Sequence, residues 1–248
     1  MNNTNQNQPA AIITGASSGI GLAISKRLAA IGYKVFGIGR DFANHPLWQE
    51  EMLHPIICDL LDTELLCKYI RQIKSQNQIH VLVNNAGVGY YGLHEELNPK
   101  KIQELVRTNL EVPMILSQQL LRELKKNAGH IINIASVTAY KSNPHGCAYG
   151  ATKAGLASFS ASLFDEARKY GVKVATVSPD MTQTNLYRNA NFCEGNDPDT
   201  YLLPEEVANA VAFILNQRDG MTITELTLKP QRHQIKKMTN QRKEKKNG

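Results

Sequence analysis

In the stretch Ala10–Gly21, of sequence AAIITGASSGIG, a short apolar run leads directly into a glycine-rich turn. An apolar run that ends at glycines is typical of a strand buried in a parallel sheet. Apolar residues then recur at helical spacing from Ile20 to Ile31, and Gly32 is well suited to end that helix. A turn between a strand and a helix points backbone N–H groups and the positive helix end at an anion. The stretch therefore predicts a strand, a phosphate-binding turn with GxxxGxG spacing, and a helix.

The same alternation of strand and helix patterns continues along the chain. After the first strand at 10–14, strands are predicted at 34–39, 54–58, 80–84, 129–135, 172–178 and 222–228, and later helices at 62–74, 99–126, 148–170 and 204–216. Alternating strands and helices call for a mainly parallel sheet that is covered on both faces. The sequence contains no linker-like break and no internal repeat. We therefore predict an α/β fold, a single doubly wound Rossmann-type domain of three layers over residues 9–230, with a mainly parallel seven-stranded sheet.

The net charge of +6 belongs to the end of the chain. Residues 229–248 carry eight Lys or Arg and one acid, which leaves 20 basic and 21 acidic residues in the body. A basic end can contact nucleic acid or an anionic surface, but this one has no aromatic residues for base stacking. We expect residues 231–248 to be a solvated, disordered tail that does not bind nucleic acid. Residues 1–8 are polar and uncharged, and are predicted to be a disordered lead-in.

The cysteines and the apolar segments bear on location and metal binding. Cys58, Cys67, Cys147 and Cys193 are scattered without CxxC spacing, which argues against a zinc site and a disulfide framework. No apolar run approaches the roughly 20 residues that a membrane span needs. The start of the chain lacks the basic residues and apolar stretch of a secretory signal. We expect a cytoplasmic protein with no metal and no membrane partner.

The end of the second predicted strand bears on the choice of dinucleotide. An acid there binds the ribose 2′-hydroxyl of NAD, whereas an arginine accommodates the 2′-phosphate of NADP. The chain has Gly39-Arg40-Asp41, so Gly39 makes room and Arg40 offers a permanently charged fork that suits phosphate. NADP(H) is favoured over NAD(H). Asp41 leaves an alternative open, because it could pair with Arg40 or reach a ribose hydroxyl itself.

Tyr149 and Lys153 are four residues apart in a segment with a helical pattern. Residues with this spacing lie on one face of a helix, so an ammonium can approach the phenol. A nearby cation favours the phenolate and lowers the pKa of tyrosine from its ordinary value of about 10. The pair alone is more often an ordinary surface pair, but beside a phosphate-binding turn it indicates a proton-transfer device.

Taken together, these motifs resemble the classical short-chain dehydrogenase/reductase family over roughly residues 9–230. The matching residues are the glycine-rich turn at 14–21, Asp59-Leu60 after the third strand, Asn84-Asn85-Ala86-Gly87 after the fourth, and then Asn109, Ser136, Tyr149 and Lys153. The resemblance implies that Tyr149 is the general acid/base. It implies that Lys153 lowers the pKa of Tyr149 and binds the nicotinamide ribose, that Ser136 holds the substrate oxygen, and that Asn109 holds a water linking Lys153 to solvent.

The resemblance also assigns residues to the cofactor. They are Gly15, Ser17, Ser18, Gly19, Ile20, Gly21, Arg40, Asp59, Leu60, Asn85, Ala86, Gly87, Tyr149, Lys153, Pro179, Thr182 and Thr184. One position departs from the family pattern, because Asp180 stands where a glycine usually follows Pro179. Asp tolerates unusual backbone angles better than most residues but lacks the freedom of Gly. Cofactor binding through Thr182 and Thr184 is accordingly less secure than binding at the first glycines.

The substrate is expected over the carboxyl ends of the strands, with residues 181–203 as the substrate loop. Ser136, Tyr149, Val137, Met181 and Tyr187 are predicted to contact it, and Tyr90, Tyr91, Tyr140 and His145 are further candidates for the pocket wall. The activity implied is hydride transfer between NADP(H) and a small-molecule carbonyl or alcohol. The alternative is a dinucleotide-binding sensor or scaffold with little turnover. The family's habit of pairing two long helices, here 100–126 and 148–170, implies a homodimer or homotetramer.

Overall fold

Seven parallel strands form the centre of the protein. The structure is a computed structural model that describes residues 8–43 and 46–237. In chain order the sheet contains β1 (Ala10–Thr14), β2 (Lys34–Gly39), β3 (Leu53–Ile57), β4 (Ile79–Asn84), β5 (His130–Ile134), β6 (Lys173–Pro179) and β8 (Glu225–Leu228). Their order across the sheet is β3-β2-β1-β4-β5-β6-β8, and every neighbouring pair is parallel. The order reverses direction between β1 and β4. Ligands of open α/β sheets bind at such a point, beyond the carboxyl ends of the strands.

Helices cover both faces of this sheet and make the three layers predicted from the sequence. They are α1 (Gly19–Ala30), α2 (Thr63–Gln76), α3 (Pro99–Val106), α4 (Val112–Lys126), α5 (Cys147–Ala167) and α6 (Pro204–Leu215). One core lies between the sheet and α2, α4 and α5, where Leu66, Leu116 and Leu163 are buried. The other lies under α1 and α6, where Ile24 and Val211 are fully buried. All five residues of β1 are buried, as expected of a strand covered on both faces.

The predicted long helix over 99–126 is interrupted. A π-helical turn at Arg107–Glu111 separates α3 from α4, and it was not expected from the apolar spacing. A π-helical turn occurs mostly as a single turn inside an α-helix, and helix continues on both sides of this one. The last strand of the sheet is also shorter than predicted, because it begins at Glu225 and not at residue 222.

A second sheet joins the loop at 181–203 to the last described residues. Strand β7 (Phe192–Glu194) pairs antiparallel with β9 (Ile235–Lys237). Residues 231–237 were expected to belong to a disordered tail, and the structure instead holds them against the loop at 181–203. The rest of the predicted tail, 238–248, lies outside the described residues, as does 1–7 of the predicted lead-in. Within the described part of the chain, no helix is both long and apolar enough to cross a membrane.

Candidate active site

A single cleft runs along the carboxyl ends of the strands on both sides of the β1–β4 reversal. Of the residues predicted to bind cofactor or substrate, its wall contains Gly15, Ser17, Ser18, Gly19, Ile20, Arg40, Asp59, Leu60, Asn85, Ala86, Gly87, Ser136, Tyr149, Lys153, Pro179, Thr182, Thr184 and Tyr187. Residues far apart in sequence therefore converge here because parallel strands end at one edge of the sheet.

The glycine-rich turn forms one end of the cleft. Gly15 and Gly19 have φ angles of +64° and +53°, in the left-handed region that side chains disfavour. A Cβ on Gly15 would lie 2.9 Å from the Cα of Ala86. Gly21 does not line the cleft: it is buried, and a Cβ there would collide with the Gly15 carbonyl and the Asn85 amide. The turn is thus tightly packed on its inner side and open toward the cleft.

Thr14 ties this turn to the loop after β4. Its Oγ1 accepts hydrogen bonds from the backbone N–H groups of Asn85 at 3.1 Å and Ala86 at 3.0 Å. In return the Asn85 side chain donates to the Thr14 carbonyl at 2.9 Å. These bonds hold the two sides of the β1–β4 reversal together, so the cleft floor is a fixed surface.

The start of α1 leaves its N–H groups available to an anion. Ser18 is the N-cap residue, but its side chain caps none of them, and the first turn contains no acid. Such a helix end attracts phosphate. Arg40, exposed at the end of β2, lines the same cleft, and the Asp41 carboxylate accepts from the Ala43 N–H at 2.8 Å. Asp41 is thus engaged with its own turn, and no ion pair between it and Arg40 is found in the described residues.

Ser136 and Tyr149 meet in the middle of the cleft. Ser136 follows β5 in an extended conformation and begins a short 3₁₀ turn, where its Oγ accepts from the Thr138 N–H at 3.2 Å. Tyr149 lies in the first turn of α5, and its hydroxyl faces the same cleft as the side chain of Ser136. Burial raises the pKa of Tyr149 from its ordinary 10.0 to about 12, and the Ser136 hydroxyl only partly opposes that rise.

Lys153 lies one helical turn further on, buried, with its Nζ 5.9 Å from the centroid of the Tyr149 ring. Its ammonium donates to the Ile134 carbonyl at 2.7 Å. Burial lowers the pKa of Lys153 from 10.5 to about 8. The pKa of Tyr149 is therefore raised where a depression was expected, because the loss of water around the buried phenol is the largest effect on it.

Asn109 stands behind the cleft wall, in the π-helical turn at 107–111. It is fully buried, and its Oδ1 accepts from the Val88 N–H at 2.9 Å. Its Nδ2 donates to the Val88 carbonyl at 3.0 Å and to Thr152 Oγ1 at 3.1 Å. Both amide protons of Asn109 are thus used to join the loop after β4 to α5. Val137 and Met181 are also buried and lie outside the cleft wall.

The segment after β6 closes the other side of the cleft. Asp180 donates its N–H to the Leu228 carbonyl at 2.9 Å, and its Oδ1 accepts from the Met181 N–H at 2.9 Å. Thr182 Oγ1 donates to the Asp180 carbonyl at 2.9 Å. The methyl group of Thr184 lies 3.2 Å from where a Cβ on Gly19 would be. This segment therefore touches the glycine-rich turn across the cleft.

A group of aromatic rings packs beside Tyr149. The ring of Tyr91 lies 5.6 Å from that of Tyr149 and 6.1 Å from that of Tyr187. Phe192 joins them, with its centroid 5.0 Å from Tyr91 and 5.5 Å from Tyr187. Burial raises the pKa of the Tyr91 and Tyr187 hydroxyls.

Phe192 was missed in the sequence, as were the cleft residues Glu104, Thr108 and Arg188. No local pattern marks them. The other predicted wall candidates lie at the edge of the site: the Tyr90 hydroxyl donates to Glu104 Oε2 at 2.6 Å, Tyr140 is half exposed, and His145 has a positive φ of 61°.

The residues of this cleft fit a dinucleotide. The left-handed glycines let the backbone approach a ligand, the uncapped start of α1 suits a pyrophosphate, and Arg40 suits a further phosphate. Within the described residues there is no group of three or more His, Cys, Asp or Glu side chains placed to hold a metal ion.

Comparisons with known proteins agree with this geometry. A family model described as short chain dehydrogenase matches residues 9–193. A 3-oxoacyl-(acyl-carrier-protein) reductase from Buchnera aphidicola is 33% identical over 227 residues, which cover 86% of this chain and 92% of the relative. A farnesol dehydrogenase from Aedes aegypti is 31% identical over 235 residues, with 89% and 95% covered.

Solved structures show the same fold. An alcohol dehydrogenase from the archaeon Thermococcus sibiricus, complexed with 5-hydroxy-NADP, superposes with a TM-score of 0.80 at 26% identity, covering 90% of this chain and 96% of that one. Other structures of this fold hold NADPH, as in a polyketide ketoreductase at TM-score 0.80, or NADH, as in a 4-hydroxyisoleucine dehydrogenase at TM-score 0.78. From its cleft, its sheet order and these matches, the chain belongs to the short-chain dehydrogenase/reductase family of oxidoreductases.

Proposed function

We propose that this oxidoreductase uses NADP(H) and transfers a hydride between the nicotinamide and a carbonyl or secondary alcohol carbon, with Tyr149 as general acid/base. The observation that carries the proposal is the position of the Tyr149 hydroxyl. It shares with Ser136 the wall of a cleft whose far end is a glycine-rich, phosphate-type turn. A substrate oxygen bound between these two hydroxyls would lie within reach of the proton donor.

The cofactor would be held by residues of four segments. The turn at 15–20 and the start of α1 would bind the pyrophosphate, Asp59 and Leu60 would flank the adenine, and the loop at 85–87 would pass beside the ribose and nicotinamide. Thr182 and Thr184 would contact the carboxamide. When bound, NADPH supplies the hydride, and the remaining steps fall to the side chains of this chain.

Tyr149 would donate a proton to the carbonyl oxygen during reduction. With a pKa raised to about 12, its phenol is protonated at neutral pH, which is the form that a proton donor needs. Ser136 would hold the same oxygen by a hydrogen bond and keep it aligned with Tyr149. The nearby ammonium of Lys153 would stabilise the phenolate left after transfer. In this scheme Asn109 acts through Val88 and Thr152, as a positioning residue; its role in holding a water stays a prediction.

Arg40 supports NADP(H) as the cofactor. Its guanidinium is exposed within the cleft at the end of β2, and Asp41, the acid beside it, accepts from Ala43. A fixed charge facing the cleft favours a ligand with an added phosphate. Solved relatives of this fold hold either dinucleotide, so the preference is proposed from Arg40.

We also propose a homo-oligomer that pairs α4 and α5 with their counterparts. Met114 on α4 is 38% exposed, and small residues such as Ala151, Ser158 and Ala161 face outward along α5. Small side chains let two helices approach closely, and burying such a surface stabilises association. Light scattering on the purified chain tests this assignment. The cytoplasmic location stays a prediction.

The test of the proposed activity is oxidation of NADPH, followed at 340 nm across a panel of aldehydes, ketones and diketones. We expect turnover of at least one carbonyl, and a loss of about 10²- to 10⁴-fold in kcat on Tyr149→Phe. NADPH binding, measured by fluorescence, should be retained in that variant because the phenol lies at the proton-transfer end of the cleft. Tight NADPH binding without turnover of any carbonyl or alcohol would favour a sensor or scaffold instead.

A further inference from the structure

The end of the described chain folds back onto the substrate loop. Strands β7 and β9 align Phe192 with Lys237, Cys193 with Lys236 and Glu194 with Ile235. Together with Arg232, Asp197 and Asp199, we call these two strands the C-terminal clip. Its two halves are about 40 residues apart in sequence, so only the folded chain brings them together.

The guanidinium of Arg232 forms hydrogen bonds with both acids of the clip. Its Nε lies 2.6 Å from Asp199 Oδ2, and its Nη2 lies 2.8 Å from Asp199 Oδ1 and 2.9 Å from Asp197 Oδ2. Its backbone N–H also donates to the Asp199 carbonyl at 2.9 Å. A bidentate arginine fixes the direction of its partners as well as their distance. Three side chains and one backbone bond thus specify where β9 lies against the loop.

The clip bears on the active site through Phe192. This residue is the first of β7, and its ring makes an edge contact with Tyr91 at 5.0 Å. Tyr91 in turn lies against Tyr149, which is only 4% exposed. Tyr187, which packs against both Tyr91 and Phe192, lines the same cleft as Tyr149, so a substrate that approaches the Tyr149 hydroxyl from this side would contact these rings.

We propose that Phe192 is a specificity-determining residue that contacts the substrate, and that Arg232 is a positioning residue that holds it there through the clip. Tyr91, Tyr187 and Phe192 together form an aromatic wall, defined by these three residues. Such a wall favours carbonyl compounds whose substituent is flat and apolar, since ring-to-ring packing adds to the gain from burying apolar surface. The proposal rests on the proposed reductase function.

Two truncated chains separate the clip from the basic end that follows it. A chain ending at Lys237 keeps the clip, whereas one ending at Pro230 removes it. The probes are 1-phenyl-1,2-propanedione and 2,3-butanedione, which differ by a phenyl group in place of a methyl. In the full chain and in the 237 truncation we expect kcat/KM to favour the phenyl diketone by about tenfold or more. In the 230 truncation this preference should fall to about threefold or less, with KM for NADPH unchanged.

Point variants test the same idea in chains of full length. Phe192→Ala should remove most of the preference for the phenyl diketone. Arg232→Gln should raise KM for that diketone about two- to fivefold while kcat changes little, because a smaller fraction of molecules holds the wall in place. Arg232→Lys keeps the positive charge but loses the planar guanidinium, so its KM for the phenyl diketone should lie between that of the natural chain and that of Arg232→Gln. The matched control is Arg168→Gln, an exposed arginine whose ion pair with Asp165 spans 3.5 Å and lies away from the cleft.

Hydrogen exchange gives a readout that does not need turnover. Amides at 185–200 should exchange faster in Arg232→Gln and in the 230 truncation than in Arg168→Gln. Unchanged exchange rates at 185–200 would show that the clip does not hold this loop. Faster exchange with an unchanged preference for the phenyl diketone would show that the clip has no role in specificity. If the full chain reduces no carbonyl, the proposed reductase function is wrong, and so is the proposed role of Phe192 in substrate specificity. The hydrogen-exchange data would still show whether Arg232 and β9 hold the loop in place.

Discussion

The side chain of Asn109 is hydrogen-bonded to both the N–H and the carbonyl group of Val88. Its Oδ1 accepts from the Val88 N–H at 2.9 Å, and its Nδ2 donates to the Val88 carbonyl at 3.0 Å. Val88 directly follows the loop at 85–87 that forms the cleft floor. The π-helical turn at 107–111 places Asn109 where it reaches this loop and α5 together. One buried amide thus connects the strand end to the helix that carries Tyr149.

Asn109→Ala should lower both stability and cofactor affinity. It leaves the N–H and carbonyl of the partly buried Val88 without partners and a cavity where the fully buried amide was, which together cost about 2–4 kcal/mol in the free energy of unfolding. NADPH should bind more weakly because the loop at 85–87 loses its anchor. Urea unfolding and fluorescence titration measure the two effects. The control is Asn127→Ala, which loses a comparable bond to the Ile79 carbonyl at the opposite edge of the sheet. Equal NADPH affinities in the two variants would contradict the positioning role.

Arg40→Ser should change the choice of dinucleotide. Loss of the charged contact to a 2′-phosphate is expected to raise KM for NADPH by about tenfold or more, with little change in KM for NADH. Asp41→Asn should leave both values almost unchanged, because the Asp41 side chain accepts from Ala43 within its own turn. Initial rates with the two cofactors decide the matter. An improvement with NADH in Asp41→Asn would assign that acid to the ribose instead.

Asp180→Gly should leave catalysis intact. The residue following Pro179 does not have a positive φ here, since among the described non-glycine residues only Ala128 and His145 do. Its carboxylate caps the Met181 N–H at 2.9 Å, so the substitution should cost about 1 kcal/mol of stability through that bond and the freer backbone. We expect kcat/KM within about twofold of the natural chain. A large loss of activity would show that the carboxylate contacts substrate or cofactor.

Stability should rise with pH between about pH 8 and 10 because of Lys153. Burial lowers the pKa of Lys153 from 10.5 to about 8, so in this window the unfolded chain binds more protons than the folded one. Tyr149, with its pKa raised from 10.0 to about 12, acts in the opposite direction only above pH 10. The Lys153 linkage alone contributes a gain of about 2 kcal/mol between roughly pH 7.5 and 9.5, and the Cys58 thiol, whose pKa burial raises from 9.0 to about 11, offsets part of it.

Urea unfolding of Lys153→Met at those two pH values checks the assignment. The variant cannot titrate at this position and should lose the rise, whereas Lys169→Met, on an exposed lysine, should keep it. The same slope in Lys153→Met and in the natural chain would assign the pH dependence to other groups.

Most of the sheet could be predicted from the sequence. The strand at 34–39 has the predicted bounds, and those at 54–58 and 80–84 differ from the predicted ones by one residue. The strands at 34–39 and 80–84 are buried along almost their whole length, so each appears as a largely apolar run between turn residues, whereas the edge strand at 54–58 is partly exposed. The glycine-rich turn was equally visible, because its positive φ angles and close packing need glycine at specific positions. Local patterns were therefore sufficient for the α/β fold and for the phosphate-type end of the cleft.

The other features depend on contacts between distant residues. The clip joins residues near 192 to residues near 235, and neither three-residue strand has enough local pattern to predict its partner. The pKa of Tyr149 depends on how much water is excluded around it, and spacing from Lys153 indicates proximity but not burial. Sequence periodicity thus determined which elements form and in what order, because secondary structure repeats locally. Only the tertiary structure decided how the cleft is closed and how Tyr149 titrates, because packing and desolvation are sums over the whole folded chain.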